Sequence, residues 1–349
     1  MRCRRSSAVT AGTAVRDSVF CFLSAVLLSV IATQPASAQD FYKGKTLTIV
    51  VGSTPGGGFD AVARRAAARI GDYIPGNPTV IVRNMPGAGS LTSVRYLDTS
   101  APKDGTTITT FNPGLITQAI VQPEKVGLDL TKFGWVGVVS PEFLVCYGFG
   151  PKGVKTWHDM MSRKEFILGA TARGAGNYIT GAALRVVFQA PVKMIIGFPG
   201  SADRRIAIER GELDGDCSAI DIIPADWQRD GNAHVFVRFT EALSPRVPDS
   251  ASYVGKFAKT EEQRELLDLI TASDKLGRPF IVSKDVPADR LAILRRAFEE
   301  TMKDESFRAD MAKQHLPVVP LSGTAAGEVL AKLSNLPPVT VARARKIYE

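Results

Sequence analysis

Short apolar runs alternate along this chain with longer stretches whose apolar positions recur every three or four residues. The first run, Leu47-Thr48-Ile49-Val50-Val51, is β-branched and apolar. The turn Thr54-Pro55-Gly56-Gly57-Gly58-Phe59-Asp60 follows it. From Ala61 to Ile70 the chain is rich in alanine and arginine, and Val62, Ala66, Ile70 and Tyr73 fall on one stripe with the helical period. Strand, glycine turn and helix open a βα unit. A second unit has strand Thr79 to Val82, loop Asn84-Met85-Pro86-Gly87-Ala88-Gly89 and a helix from Ser90 through Leu91, Val94 and Leu97. A third has strand Thr106 to Phe111, loop Asn112-Pro113-Gly114 and helix Leu115 to Val121. Strands Trp135 to Val139 and Phe143 to Tyr147 then follow, with only Ser140-Pro141-Glu142 between them.

The pattern restarts beyond Cys146. Thr156-Trp157 opens a helix, Phe166 to Ala170 is a strand, and Thr171-Ala172-Arg173-Gly174-Ala175-Gly176-Asn177 leads into a helix from Tyr178 to Phe188. Strand Val192 to Ile196 runs into Gly197-Phe198-Pro199-Gly200-Ser201 and a helix from Ala202 to Arg210. Strand Leu213 to Ile220 ends at Asp221, and Val235 to Phe239 is another. The last hundred residues read as mostly helical. Thr260 with Gln263 forms a capping box, and Pro287 begins a helix reaching about Lys303. Val339 to Tyr348 closes the chain, and Arg278 to Val282 is the one late strand expected. Alternating strands and helices argue for a parallel-sheet α/β protein. Glycine loops stand at strand ends in both halves, where open α/β sheets bind ligands. Two such sheets face to face make a cleft, a favoured place for a small molecule.

The glycine turn after the first strand has two readings. Three glycines let backbone approach a ligand with no Cβ in the way, and the helix behind them offers free N–H groups and a positive dipole end to an anion. The other reading is a tight turn, with Asp60 in the N-cap position.

Charge and composition narrow the function. The net charge is +8; Arg2, Arg4, Arg5 and Arg16 against Asp17 put +3 of it in the first 38 residues, which leaves +5 for the rest. No basic run of five residues supports nucleic-acid binding, and a modest positive field suits an acidic small molecule. The three arginines at the start, the apolar core Val19 to Ala32 and Ala36-Ser37-Ala38 read as a secretory signal cleaved after Ala38, so the mature protein is expected in the periplasm. Of four cysteines, Cys146 and Cys217 remain, either as a disulfide or as two buried thiols. His158, His234 and His315 have no metal-ligand spacing. There is no G-x-S-x-G, and Gly44-Lys45-Thr46 lacks the strand and the first glycine of a P-loop. No nucleophile, general base, metal or cofactor is proposed, and the chain is not expected to be an enzyme.

The mature chain resembles the substrate-binding proteins of tripartite tricarboxylate transporters, the Bug-type receptors. The likeness rests on Phe41-Tyr42-Lys43-Gly44-Lys45-Thr46, Pro55-Gly-Gly-Gly-x-Asp60, Asn84-x-Pro86-Gly87-Ala88-Gly89, Pro102-x-Asp104-Gly105-Thr106 and Gly197-x-Pro199-Gly200. Arg278-Pro279-Phe280 and Val286-Pro287-Ala288-Asp289-Arg290 extend it, and it covers Asp40 to the C-terminus. It implies a type II periplasmic-binding-protein fold: two α/β lobes joined by two crossover strands, with a ligand cleft between. The lobes are expected at 39–142 with 240–349, and at 143–239. It also implies a carboxylate held by backbone amides of the glycine loops and by water, then delivered to a membrane permease. The receptor is expected to be a monomer. Relatives with this wording carry both cysteines, so a disulfide is expected in the second lobe.

The expected ligand-binding set is Pro55, Gly56, Gly57, Gly58, Phe59, Asp60, Asn84, Gly87, Ala88, Asn112, Thr171, Arg173, Ala175, Asn177, Gly200 and Asp221. Phe59 either lids the ligand or packs its helix. Asn84 and Asn112 either donate to the ligand or fix their own loops. Asp221 binds an amine or water, or serves a hinge or cap, and Asp214 and Asp216 are read as solvated turn residues. The second-lobe loop departs from the wording Gly-x-Gly-Ser with a nearby His seen in many relatives, and Arg173 stands in front of it. A guanidinium there is expected to clamp a second carboxylate, favouring dicarboxylates; its alternative is a solvent-facing arginine. Two rival functions stand beside the transport receptor: a ligand sensor docking on a membrane protein, and an exported enzyme on the same fold.

Overall fold

Among the described residues there are twelve strands, most of them on apolar runs: β1 (Thr46–Val51), β2 (Thr79–Asn84), β3 (Thr107–Thr110), β4 (Gly134–Val138), β5 (Leu144–Phe149), β6 (Phe166–Ala170), β7 (Val192–Ile196), β8 (Gly215–Ala219), β9 (Ala233–Arg238), β10 (Ser252–Tyr253), β11 (Pro279–Val282) and β12 (Leu321–Ser322). The computed structural model describes residues 41–241 and 244–349. The expected signal and its cleavage site lie outside them. Contacts divide the chain after Phe41, and the unit Tyr42–Glu349 holds all twelve strands. Among the described residues no helix is long and apolar enough to cross a membrane.

The strands build two sheets, in the orders β12-β4-β11-β3-β1-β2 and β10-β9-β5-β8-β6-β7. In the first, β1 lies between β2 and β3 and is parallel to both. In the second, β6 lies between β7 and β8 in the same way. In each triplet the chain moves outward from the middle strand, then crosses back over it. That reversal opens a crevice at the carboxyl ends of the strands.

Neither sheet is all-parallel, contrary to the sequence reading. β11 runs antiparallel to β3 and β4, and β5 antiparallel to β8 and β9. Only residues 139–143 separate β4 from β5, and those strands belong to different sheets. A parallel neighbour needs a crossover of a dozen residues or more. β5 instead arrives straight from the other sheet and pairs in reverse. The short strands β10 and β12 add two late strands that the sequence reading lacked.

Each sheet has its own core. Val94, Leu97, Phe111, Trp135, Ile281 and Leu330 pack together on the first. Phe166, Leu168, Leu184 and Phe236 pack on the second, joined by Leu267, Ile270, Ile347 and Tyr348. A side chain of this size contributes roughly 1.5–3 kcal/mol when fully buried. The second core redraws the expected boundary, because 240–349 does not all belong with the first sheet. β10 pairs with β9, and the apolar faces of helix Glu261–Ala272 and of the C-terminal residues complete the second core. Cys146 on β5 stands opposite Cys217 on β8, and the two are joined as a disulfide inside that core.

Candidate ligand cleft

Three helices begin at the mouth of the crevice: α1 (Gly58–Ile70) after β1, α2 (Gly176–Phe188) after β6 and α3 (Ser201–Glu209) after β7. Their N-caps are Gly57, Ala175 and Gly200, all in extended conformation. None has a side-chain cap. The first N–H groups of a helix have no partner within it, and its dipole is positive at that end. A cavity of about 780 Å³, counting its open mouth, is lined by all three starts: Gly57, Gly58 and Phe59 from the first sheet, and Ala175, Gly176, Asn177, Gly200 and Ser201 from the second.

Asp60 is not the N-cap that its position suggested. It is the third helical residue of α1, and its carboxylate accepts from Gly56 N and Arg64 Nε at 2.9 Å and from Asn84 Nδ2 at 2.8 Å. Burial alone would raise its pKa. The bonds from Arg64, Gly56 and Asn84 outweigh that and hold it below the usual value. Asn84 also donates to Ser53 O at 3.0 Å, so the pair knits two loops of the first lobe together. Asn112 fixes its own turn by accepting from Gly114 N at 2.9 Å. The same oxygen accepts from Gly176 N at 3.1 Å, a bond from one lobe to the start of α2 on the other.

Two buried arginines line the cavity. Arg204 donates from Nε to Asp216 at 3.0 Å and from a terminal nitrogen to Thr171 Oγ1 at 3.1 Å. Arg278 is paired with Asp221, donates to Ser140 Oγ at 3.3 Å and lies 5.9 Å from the ring centre of Phe59. Glu142, only 5% exposed, is the third ionisable group in the wall. Burial pushes its carboxyl up to about 8; Arg278 opposes the shift and Asp221 adds to it. Ser53 Oγ, Asn177 Nδ2 and Ser218 Oγ also belong to residues of the wall, buried and without a hydrogen-bond partner. Buried polar atoms are rarely left so, and these have room for a ligand's oxygens or for water. Among the described residues no group of three or more His, Cys, Asp or Glu is placed to hold a metal.

No protein-family profile matches the chain. A UPF0065 protein from the TAR-I ttuE-ttuC' intergenic region of Agrobacterium vitis is 23% identical over 289 residues, which span 81% of this chain and 79% of that protein. The periplasmic binding protein BugD superposes with a TM-score of 0.71 at 18% identity, covering 88% of this chain and 98% of BugD. MatC from Rhodopseudomonas palustris, with bound malate, superposes with a TM-score of 0.69 at 19% identity, covering 87% and 99%. An R. palustris protein with adipate gives 0.67 at 16%, covering 87% and 96%. The fold is that of a two-lobed periplasmic binding protein. The chain resembles the Bug-type receptors in both wording and architecture.

Within this binding-protein fold, Gly57, Gly58, Phe59, Gly87, Asn112, Thr171, Ala175, Asn177 and Gly200 line the cleft. Pro55, Asp60, Asn84, Ala88 and Arg173 do not. Gly56 and Asp221 line a separate hollow that shares Gly57 and Gly58 with the cleft. Asp221 is the ion partner of Arg278. Arg173 turns to the C-terminus instead: it donates to Tyr178 Oη at 3.0 Å, Tyr348 O at 2.6 Å and Glu349 O at 3.0 Å, and stacks over the Tyr178 ring. Its guanidinium is thus engaged away from the cleft wall. Asp216, read as solvated, is 2% exposed and holds Arg204.

The sequence reading missed Glu142, Arg204, Arg278, Ser53 and Ser218 as wall residues. Two of them carried a signal. Arg204 stands four residues after Gly200, one helical turn behind a glycine loop already assigned to the site. Glu142 stands at the lobe boundary that the resemblance implied, and there the chain does pass from one sheet to the other.

Proposed function

We propose that this chain is an exported receptor that closes on a small carboxylate and delivers it to a tripartite tricarboxylate-type membrane permease. One observation carries the reading: three helix N-termini without side-chain caps, from both lobes, converge on one cavity. Such ends bind carboxylates through backbone N–H groups and dipole. The malate and adipate held by two proteins of the same fold support this ligand class. In this reading the protein is a monomer in the periplasm, its signal removed after Ala38, and it binds without turnover. The lobes hinge at the crossovers around 139–143 and 273–278. Pro55, Gly56, Asp60, Asn84 and Ala88 support the loops that touch the ligand.

A thermal-shift screen against mono-, di- and tricarboxylates tests the reading. A ligand at about 100 times its Kd adds about 2.7 kcal/mol to the folded state and raises the melting midpoint. Matched amines and neutral sugars should leave it unmoved. A screen in which no carboxylate shifts the midpoint removes the proposal.

A further inference from the structure

We propose that Glu142 meets the bound anion as a neutral carboxyl and donates a hydrogen bond to it, so that ligand affinity falls when this group ionises. The inference rests on the receptor reading and deepens it, because it names the residue that selects for an anion.

The other charges of the cavity wall cancel. Arg204 is matched by Asp216, and Arg278 by Asp221. Glu142 therefore sets the sign of the wall. Its carboxyl lies at the start of α2: a Cβ built on Gly176 would stand 4.0 Å from Oε2. A bound carboxylate seeks that same helix end, and two anions there repel across a low-dielectric gap. A neutral Glu142 removes the repulsion and supplies an O–H donor. Among the described residues no hydrogen bond occupies its carboxyl oxygens, so the donor is available.

Apart from Arg278, the surroundings favour the neutral form. On the crossover that returns to β11, Asp274 is buried, its Oδ2 is unpartnered, and burial with the nearby Glu142 pushes its carboxyl up. Glu142 N donates to Asp274 O at 2.9 Å, which ties the two crossovers together. A further hollow that Glu142 also lines holds Glu241, Glu265 and Asp268, with Lys275 in its wall and Arg343 paired to Glu265. Among the described residues Arg278 is the one cation whose charge acts directly on Glu142, and Asp221 already holds it.

Isothermal titration with malate and adipate from about pH 7 to about pH 9.5, on wild type and Glu142→Gln, tests this. Both probes stay dianionic across that range. Wild-type affinity should stay level up to about pH 8, then weaken towards tenfold per pH unit. Above that point, buffers of unequal ionisation enthalpy should reveal a proton taken up with the ligand. Glu142→Gln keeps an N–H donor and cannot titrate, so whatever its affinity at about pH 7, that affinity should show no slope up to about pH 9.5. A wild-type affinity level through pH 9.5, or the same slope in both proteins, overturns the inference and leaves the receptor reading standing. No binding at pH 7 by either probe overturns the inference and leaves the receptor reading to the wider carboxylate screen. The wild-type slope and proton count need no variant, so a misfolded Glu142→Gln would not blunt the test.

Discussion

Two arginines beside the glycine loops show what decides a residue's role here. Arg173 stands in the loop itself, and its side chain leaves the cleft because Tyr178 and two carbonyls at the C-terminus receive it. Those carbonyls lie more than 170 positions away in the chain, so no local pattern marks them. Arg204 stands inside a helix and reaches the cleft because Asp216 and Thr171 hold it there. Asp216 looked like a turn residue, since its burial depends on strand β8 lying inside the second sheet. Arg173→Ala should therefore leave mono- and dicarboxylate affinity equally unchanged. It should lower stability by about 1 kcal/mol, below the roughly 1.5–3 kcal/mol of a buried bond to a charged group because the site is partly exposed. Urea unfolding and titration of the same variant check both halves. A loss confined to dicarboxylates would return Arg173 to the site.

At the level of elements, the long apolar runs were the readable part. Strands Phe166–Ala170 and Val192–Ile196 fall where the pattern put them, and Thr260 with Gln263 caps its helix as expected. β10 and β12, two residues each, are too short to carry a period. The helices at the cleft begin earlier than the pattern showed, at Gly58, Gly176 and Ser201 rather than Ala61, Tyr178 and Ala202. Their caps are glycine or alanine, which leaves no Ser, Thr or Asp cap to read. The feature that blurred the boundaries also leaves first-turn N–H groups of α1 and α3 without a side-chain cap, while at α2 Asn112 accepts the first N–H from the opposite lobe. The disulfide belongs to this scale. It closes a loop with a sequence separation of 71. The chain-entropy relation gives about 4 kcal/mol for a loop of that length. Reduction, or Cys146→Ser with Cys217→Ser, should lower unfolding free energy by about 2–5 kcal/mol in urea titrations. An unchanged midpoint under reductant would contradict the bond's stabilising role.

Over the whole molecule, alternating strands and helices with glycine loops at strand ends implied two α/β lobes around a cleft, and the fold has that form. The pattern did not reveal how closely the lobes meet. Asn112 bonds to Gly176 across the gap, and a Cβ on Gly89 would come within 3.1 Å of the Gly174 backbone. Such contacts depend on pairs of loops far apart in sequence, and glycine there serves the approach of two backbones as much as a turn. The cavity so enclosed is where the receptor reading stands or falls. Gly57 has an ordinary extended backbone with φ −85°, and a Cβ built on it would lie 3.6 Å from Ser201 Oγ and 3.7 Å from Thr54 O. The chain accepts a side chain there, but the branches of valine would occupy the gap between α1 and α3. The most direct measurement is isothermal titration of wild type and Gly57→Val with a dicarboxylate at neutral pH, alongside their melting curves. Wild type should bind one ligand per chain. Gly57→Val should melt at the wild-type midpoint and bind at least a hundredfold more weakly, about 2.7 kcal/mol. A Gly57→Val protein that binds as tightly as wild type would contradict the account.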